Sequence, residues 1–276
     1  MVFDGNKLAE KILSEIKAQT SAWVEKPSVA VVSFGQKSAN SSYIIQKKKA
    51  ADFLGFGFKH YHYLESDFSK SREYLNKIAK MKKVSAVVVQ LPLPQGINYS
   101  LLNVIPPQKD PDLLSDKSIG MFFNGRSLVE PPTPSAIIKI IEASGIGIKN
   151  KKVVVFGYGR LIGRFLTPIL LKSGAIVSII EKDTPKTVVL EFSNIADIII
   201  SAAGQPNLIT AEMVKNGAVV IDAGFSLVDG RVSGDVEFQS VSEKASLITP
   251  VPGGVGPVSV AELFSNVVKL FEVSNL

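Results

Sequence analysis

The chain has no cysteine, two histidines and one tryptophan in 276 residues. Without cysteine there can be no disulfide, no thiolate metal site and no cysteine nucleophile. His60 and His62 stand at strand spacing on one face, but no third ligand accompanies them, so both read as surface or satisfied residues and no metal is expected. Long apolar runs are also missing, and none approaches the ~20 residues of a membrane span. Met1-Val2-Phe3-Asp4-Gly5-Asn6 has neither a basic start nor an apolar stretch, so no signal peptide is expected and the expected location is cytoplasmic. There is no Gly-x-Ser-x-Gly nucleophile elbow and no phosphate-loop lysine motif.

What is present suits a filled, two-domain α/β protein: 46% of residues are hydrophobic. The net charge of +6 favours anionic partners. The basic residues are dispersed, with Lys47-Lys48-Lys49 the longest cluster, which suits phosphorylated cofactors or polycarboxylate substrates better than nucleic acid.

The most organised stretch runs from Lys151 to Gly163. Val153-Val154-Val155-Phe156 reads as a strand buried on both faces, Gly157-Tyr158-Gly159 as a turn, and Leu161, Ile162, Phe165, Ile169 and Leu170 as a helix. Strand, glycine turn and helix together form a dinucleotide fingerprint, with small residues admitting a pyrophosphate to the helix N-terminus. The spacing is one residue longer than the common form, so alone it is a weak signal, with the packing turn of a helix on a strand as the lesser alternative.

Before this stretch, helices are expected at 7–18, 41–54 (capped from Ser38-Ala39-Asn40-Ser41-Ser42) and 71–81, with strands at 27–35, 56–64 and 84–89. Pro106–Asp112 and Glu130–Pro134 read as loops, the latter followed by a helix through Ala136, Ile137, Ile140 and Ile141. After it, strands are expected at 176–180, 197–202, 218–222 and 246–249, and a last helix at 260–271. Alternating strands and helices imply a parallel sheet of right-handed βαβ units.

On the 41–54 helix, Tyr43, Ile44, Ala50, Ala51 and Leu54 fall in one arc with Lys47 at its centre. A lysine on an inward stripe either snorkels its ammonium to the edge or is functional, its pKa lowered toward the range of an acid/base group. Gln90 ends a buried parallel strand, the edge where ligands bind in open sheets, and the prolines after it fix the chain. Asp110 and Asp112 flank Pro111 and are turn formers or a grip for a guanidine-like edge. Thr249–Pro257 is too rich in glycine and proline for a plain connector, and lets backbone approach a flat ligand. Glu181, after the second strand of the glycine-turn domain, stands where an acidic residue binds a ribose 2′-hydroxyl; Lys182 beside it suits a 2′-phosphate instead.

Five segments together resemble one family: Tyr43-x-x-x-Lys47, Gln90-Leu91-Pro92-Leu93-Pro94, Lys109-Asp110-Pro111-Asp112, Pro131-Pro132-Thr133-Pro134 and Thr249–Pro257. In order along nearly the whole chain, they are similar to the bifunctional methylenetetrahydrofolate dehydrogenase/methenyltetrahydrofolate cyclohydrolase (FolD) family. The resemblance implies an N-terminal α/β catalytic domain and a Rossmann-like dinucleotide-binding domain with a cleft between them. The expected boundaries are 1–128, with the helix 257–276 returning to it, and 129–256. It implies oxidation of 5,10-methylenetetrahydrofolate by NADP+ and hydrolysis of the methenyl product to 10-formyltetrahydrofolate. Lys47 would be the acid/base group held by Gln90, Tyr43 would stack on the folate, and Asp112 would hold the pterin edge. Leu91, Pro92, Pro252, Gly253 and Gly254 complete the expected substrate set. Gly157, Tyr158, Gly159, Arg160, Ile162, Gly163, Glu181, Lys182, Ala203, Gly204, Asp222 and Gly224 form the expected cofactor set. Tetrahydrofolates, with polyglutamate tails suited to the basic charge, and a second copy of the chain paired through the Rossmann domain are the implied partners.

The chain departs from the family pattern at three places. Leu113 stands where the family usually has glycine. Tyr158 stands where an arginine often meets the 2′-phosphate, and Phe165 where proline is typical. With Glu181 adding negative charge, NADP+ is the expected cofactor and NAD+ the alternative, Arg160 or Lys182 compensating. A shikimate-dehydrogenase-like oxidoreductase would explain the fold and Lys47 but leave Thr249–Pro257 and the Gln90–Pro94 turn without a purpose. A non-catalytic nucleotide sensor would not need Lys47, Gln90 and Asp112 together.

Overall fold

In the computed structural model, residues 1–35, 42–228 and 230–274 are described. All of the Ser38–Ser42 capping stretch but Ser42 therefore lies outside them. The chain divides into two compact units, Glu10–Pro132 with Val260–Leu276, and Met1–Ala9 with Thr133–Ser259.

The first unit is built on a three-stranded parallel sheet. In chain order its elements are α1 (Gly5–Thr20, whose first turns fall in the other unit), β1 (Ser28–Phe34), α2 (Ser42–Leu54), β2 (Gly57–Tyr63), α3 (Ser71–Ala79), β3 (Ala86–Val89) and α4 (Asp116–Phe123). The strand order is β2-β1-β3, so the central strand is the first in sequence. β1 and β3 are buried nearly throughout because helices cover both faces of a parallel sheet, whereas the edge strand β2 stays half exposed. Ala30, Val32 and Phe34 of β1 and Val87 and Val89 of β3 pack with Leu75 and Ile78 of α3. Within this unit Asn266, in the last helix, donates from Nδ2 to Pro111 O at 2.9 Å and Glu130 O at 2.6 Å, tying that helix to the loop that carries Asp112.

The second unit contains α5 (Pro132–Ala143), β4 (Lys152–Phe156), α6 (Gly163–Lys172), β5 (Ile176–Ile180), α7 (Lys186–Ser193), β6 (Ile198–Ser201) and β7 (Val219–Asp222). A hairpin of β8 (Ser226–Val228) and β9 (Arg231–Ser233), then α8 (Phe238–Lys244), β10 (Leu247–Ile248) and the start of α9 (Val255–Ser274) complete it. The five parallel strands run β10-β7-β6-β4-β5. The chain leaves β4 toward β5 and then returns to its other side as β6, which makes the carboxyl end of β4 the switch point of the sheet.

Three expectations change. Residues 1–9 belong with the second unit, because Val2 bridges Ile248 beside β10, and Phe3 N–H donates to Ile248 O at 2.9 Å. Pro132 and Pro134, expected in a loop, occupy the first turn of α5, and Gly256 and Pro257 the first turn of α9. The opening N–H groups of a helix have no intrahelical acceptor, so proline loses nothing there and its fixed φ suits the helix. The β8–β9 hairpin was not anticipated: it has three exposed or half-exposed residues per strand and no buried pattern to read.

Candidate active site

Helix α2 turns Ile44, Lys47, Ala50, Ala51 and Leu54 inward, the arc expected from helical periodicity, with Tyr43 partly buried at its start. Lys47 is 8% exposed, and its Nζ donates to Gln90 Oε1 at 3.2 Å. Gln90 is placed by the sheet: its N–H donates to Val32 O at 2.8 Å, one step beyond the β1–β3 pairing, and its Nε2 donates to Leu91 O at 3.0 Å. The side-chain amide is thereby oriented with its oxygen toward the lysine. Leu91 and Pro92 follow across a cis peptide bond, Leu91 packed on the core and Pro92 exposed. Desolvation lowers the pKa of Lys47, and the nearby Asp112 carboxylate opposes that shift. Burial also pushes up the phenol of Tyr43.

The two aspartates that the sequence grouped have different tasks. Asp110 is buried, and its carboxylate accepts from Leu114 N–H at 2.9 Å, Ser115 N–H at 2.9 Å and Ser115 Oγ at 2.8 Å. It organises the loop entering α4, and burial still raises its pKa against those hydrogen bonds. Lys109 is structural as well, donating to Ala79 O and Met81 O at 3.1 and 2.8 Å. Asp112 is the carboxylate that faces Lys47. Desolvation pushes it up to about 6, Lys47 pulling down and Asp110 pushing up. Leu113, where the family pattern has glycine, is 1% exposed and sits at φ 53°, the left-handed region that a side chain disfavours. His60 Nε2 and His62 Nδ1 lie 2.7 and 3.0 Å from Ser33 Oγ, so each imidazole has a partner. Among the described residues no group of three or more His, Asp or Glu side chains is placed to hold a metal ion.

In the second unit the glycine turn sits at the switch point. Gly157 has φ 90°, and a Cβ there would lie 2.8 Å from Ala202 O. A Cβ on Gly163, the first residue of α6, would run into Gly157 O, whereas one on Gly159 meets nothing within 4 Å. Two glycines thus allow the turn and helix to close on the sheet, and the third leaves open space in front. The N-cap of α6, Ile162, provides no side-chain cap. These features fit a dinucleotide pyrophosphate, which needs close backbone approach and the positive end of a helix. Tyr158 is exposed, Arg160 half-buried and Lys182 exposed around this turn. Glu181 Oε1 accepts the N–H of Tyr158 at 2.5 Å.

The rim formed by the other strand ends departs from expectation. Asp222, expected to touch the cofactor, is buried, and its carboxylate accepts from Gly224 N–H at 2.8 Å, Asp235 N–H at 3.1 Å and Val236 N–H at 2.9 Å. Burial pushes it up to about 6; the three donors pull down and Asp235 pushes up. Gly224 is packed so closely on the Asp235 carboxyl that a Cβ there would collide with it. Both residues shape the rim and present no side-chain group to a ligand. Asp235 was missed: fully buried, its Oδ2 accepts from Ser201 Oγ at 2.8 Å, Ala203 N–H at 2.8 Å and Gly204 N–H at 3.1 Å. Its one sequence signal is a carboxylate in Gly234-Asp235-Val236, beside a residue without a side chain. Ala203 and Gly204, expected at the cofactor, are held in place by this acid.

The Thr249–Pro257 segment is compact. Gly253 has φ 103° and accepts the Gly5 N–H at 2.9 Å, and a Cβ on Gly254 would lie 2.6 Å from Pro250 O. Pro252 and Gly253 line a depression of about 210 Å³ with Val2, Phe3, Asp4, Asn6 and Pro250.

Leu113 yields a test of these local energetics. Truncation to alanine should cost ~2–5 kcal/mol by emptying a packed site. Leu113→Gly empties the same site but relieves ~1–2 kcal/mol of left-handed strain, so it should denature at equal or higher urea than Leu113→Ala, the reverse of the usual order.

Comparison with known proteins gives a consistent result. Residues 3–112 match the family described as tetrahydrofolate dehydrogenase/cyclohydrolase, catalytic domain, and residues 131–275 match its NAD(P)-binding domain. The bifunctional protein FolD of Caldanaerobacter subterraneus subsp. tengcongensis is 33% identical over 273 residues, covering 99% of this chain and 97% of that one. The crystal structure of the Campylobacter jejuni FolD superposes with a TM-score of 0.91 at 33% identity, covering 99% of each chain. The Trypanosoma brucei FolD, solved with NADP cofactor and inhibitor, superposes with a TM-score of 0.93 at 32% identity, covering 100% of this chain and 98% of that one. The chain belongs to the tetrahydrofolate dehydrogenase/cyclohydrolase family.

Proposed function

We propose that this protein oxidises 5,10-methylenetetrahydrofolate to 5,10-methenyltetrahydrofolate with NADP+ and hydrolyses that product to 10-formyltetrahydrofolate. The observation that carries this reading is the buried Lys47 amine, held by Gln90 and facing Asp112. Desolvation favours the neutral amine, and a methenyl cation beside it favours the neutral form further. A neutral Lys47 can keep donating one N–H to Gln90 Oε1 while its lone pair takes a proton from the water that attacks the methenyl carbon. The resulting ammonium then protonates N5 as the carbon–N5 bond breaks, and the carbinol oxygen releases its own proton to solvent. The net reaction is methenyl cation plus water giving the formyl product and one proton.

Asp112 is mostly ionised at neutral pH with a pKa of about 6, and we assign it to the N–H edge of the pterin. Tyr43, Gln90, Leu91 and Pro92 border the same site, and Pro252, Gly253 and Gly254 are further substrate contacts. The dinucleotide supplies the hydride acceptor. Gly157, Gly159, Gly163 and the N-terminus of α6 admit its pyrophosphate, and Tyr158, Arg160, Ile162, Glu181, Lys182, Ala203 and Gly204 surround it. The basic net charge of +6 favours polyglutamylated folates. Among the described residues no helix is long and apolar enough to cross a membrane, and we place the protein in the cytoplasm, which cell fractionation would check. We further propose a homodimer through β5. The β10 edge is covered by Val2, whereas β5 pairs with β4 and exposes Ile176 by 58% and Ile179 by 38%.

Three outcomes follow. Lys47→Met should lower methenyl hydrolysis at least ~100-fold while NADPH still forms from the methylene substrate; equal loss of both would point to misfolding, and unchanged hydrolysis would remove Lys47 from the reaction. Because the raised pKa of Asp112 keeps it protonated below about 6, KM for the folate should rise as pH falls through that value. Asp112→Asn should have a high KM that stays flat across the same range. Ile176→Lys with Ile179→Lys should shift sedimentation to the monomer, and an unchanged dimer would place the interface elsewhere.

A further inference from the structure

Resting on the dinucleotide reading above, we infer that Glu181 selects at the 2′ position of the cofactor. It accepts the 2′-hydroxyl of NAD+ and opposes the 2′-phosphate of NADP+, so that this chain uses NAD+ as a second hydride acceptor.

The placement begins with the sheet. Phe156 and Ile180 are paired in the parallel register of β4 and β5, and Gly157 N–H donates to Ile180 O at 2.9 Å. Glu181, the next residue, therefore stands level with the glycine turn on the strand beside it. Its backbone is set by its N–H, which donates to Thr184 Oγ1 at 3.2 Å. Its side chain is aimed by the 2.5 Å bond from Tyr158 N–H to Oε1. That bond holds one carboxylate oxygen against the backbone of the glycine turn. A ribose bound beside the glycine turn meets this carboxylate with its diol, and an ionised carboxylate is an acceptor only. The pairing suits a hydroxyl and is wrong for a phosphate, whose oxygens are also acceptors and carry like charge.

The residue on the turn itself reinforces the choice. Tyr158 is an exposed neutral aromatic, so its side chain brings no positive charge to neutralise a 2′-phosphate. Cations close in sequence to the turn and to Glu181 include Arg160, Arg164 and Lys182. Lys182, exposed and adjacent to Glu181, offsets part of the repulsion. Both groups are solvated, so screening keeps the effect moderate. NADP+ is weakened rather than excluded, and the discrimination between the two dinucleotides becomes small.

The test is calorimetric titration of the purified protein with NADP+ and with NAD+, without folate, at low and high KCl. The wild type should bind both with affinities within about tenfold. Glu181→Gln removes the charge and keeps an acceptor, so NADP+ should tighten about tenfold while NAD+ changes little. Glu181→Ala should also tighten NADP+ but weaken NAD+ several-fold, since the hydroxyl loses its acceptor. The gain for NADP+ should shrink at high salt, whereas a purely structural role would move both cofactors together and without salt dependence. An unchanged ratio of affinities in both variants, or failure of the wild type to bind NAD+, overturns the inference. Turnover of methylenetetrahydrofolate, followed in parallel, separates the two readings: selective binding without folate turnover sinks the folate assignment alone, and turnover with an unchanged ratio sinks this inference alone.

Discussion

A lysine amine taken out of water must find partners within the protein, and the first unit is arranged around that requirement. Lys47 points inward because α2 must bury Ile44, Ala50, Ala51 and Leu54 on the same stripe. Its partner Gln90 is fixed from two sides, by the backbone bond to Val32 and the side-chain bond to Leu91. Its counter-charge, Asp112, sits on a loop that would be irregular without Asp110, which gathers the amides of Leu114 and Ser115, and Asn266, which holds Pro111. Asp110 and Asn266 are buried and Gln90 partly so, and a hydrogen bond lost among buried groups leaves a partner unsatisfied in a poorly solvating interior. Burial lowers the pKa of the amine, and these contacts hold it in one place.

The second unit solves a different problem with the same physics. Its sheet must bring backbone amides close to an anion, which calls for positions without side chains, and glycine turns are conformationally loose. Buried carboxylates supply the rigidity. Asp222 and Asp235 between them bind five backbone N–H groups around the carboxyl ends of β6 and β7. Asp112 and Asp222 share a pKa pushed up to about 6 by burial, yet they differ in what meets the charge. Asp222 spends its lone pairs on the backbone and is part of the scaffold. Asp112 faces a titratable amine instead.

Much of this was legible in the amino-acid order. Val153–Phe156, Ile198–Ser201 and Val219–Asp222 form strands where uninterrupted β-branched runs predict them, because a strand covered on both faces needs no polar alternation. The inward placement of Lys47 was recoverable from helical periodicity, which left a snorkelling and a functional lysine equally open. Pro132, Pro134 and Pro257 misled, since proline favours both loops and the first turn of a helix and only the following residues decide between them. The Asp110–Asp112 pair could not be divided by sequence either: two carboxylates around one proline have the same local chemistry, and their roles diverge only through what folds against each.

The order of residues determined the two parallel sheets, the glycine turn that ends β4 and the inward lysine, because these follow from periodicity and the steric limits of neighbouring residues. Tertiary structure decided which carboxylate meets the lysine, that residues 1–9 close the edge of the distant β10, and that Asp222 and Gly224 pack against Asp235. These outcomes depend on groups far apart in the chain competing for the same buried donors, and a local pattern carries no record of that competition.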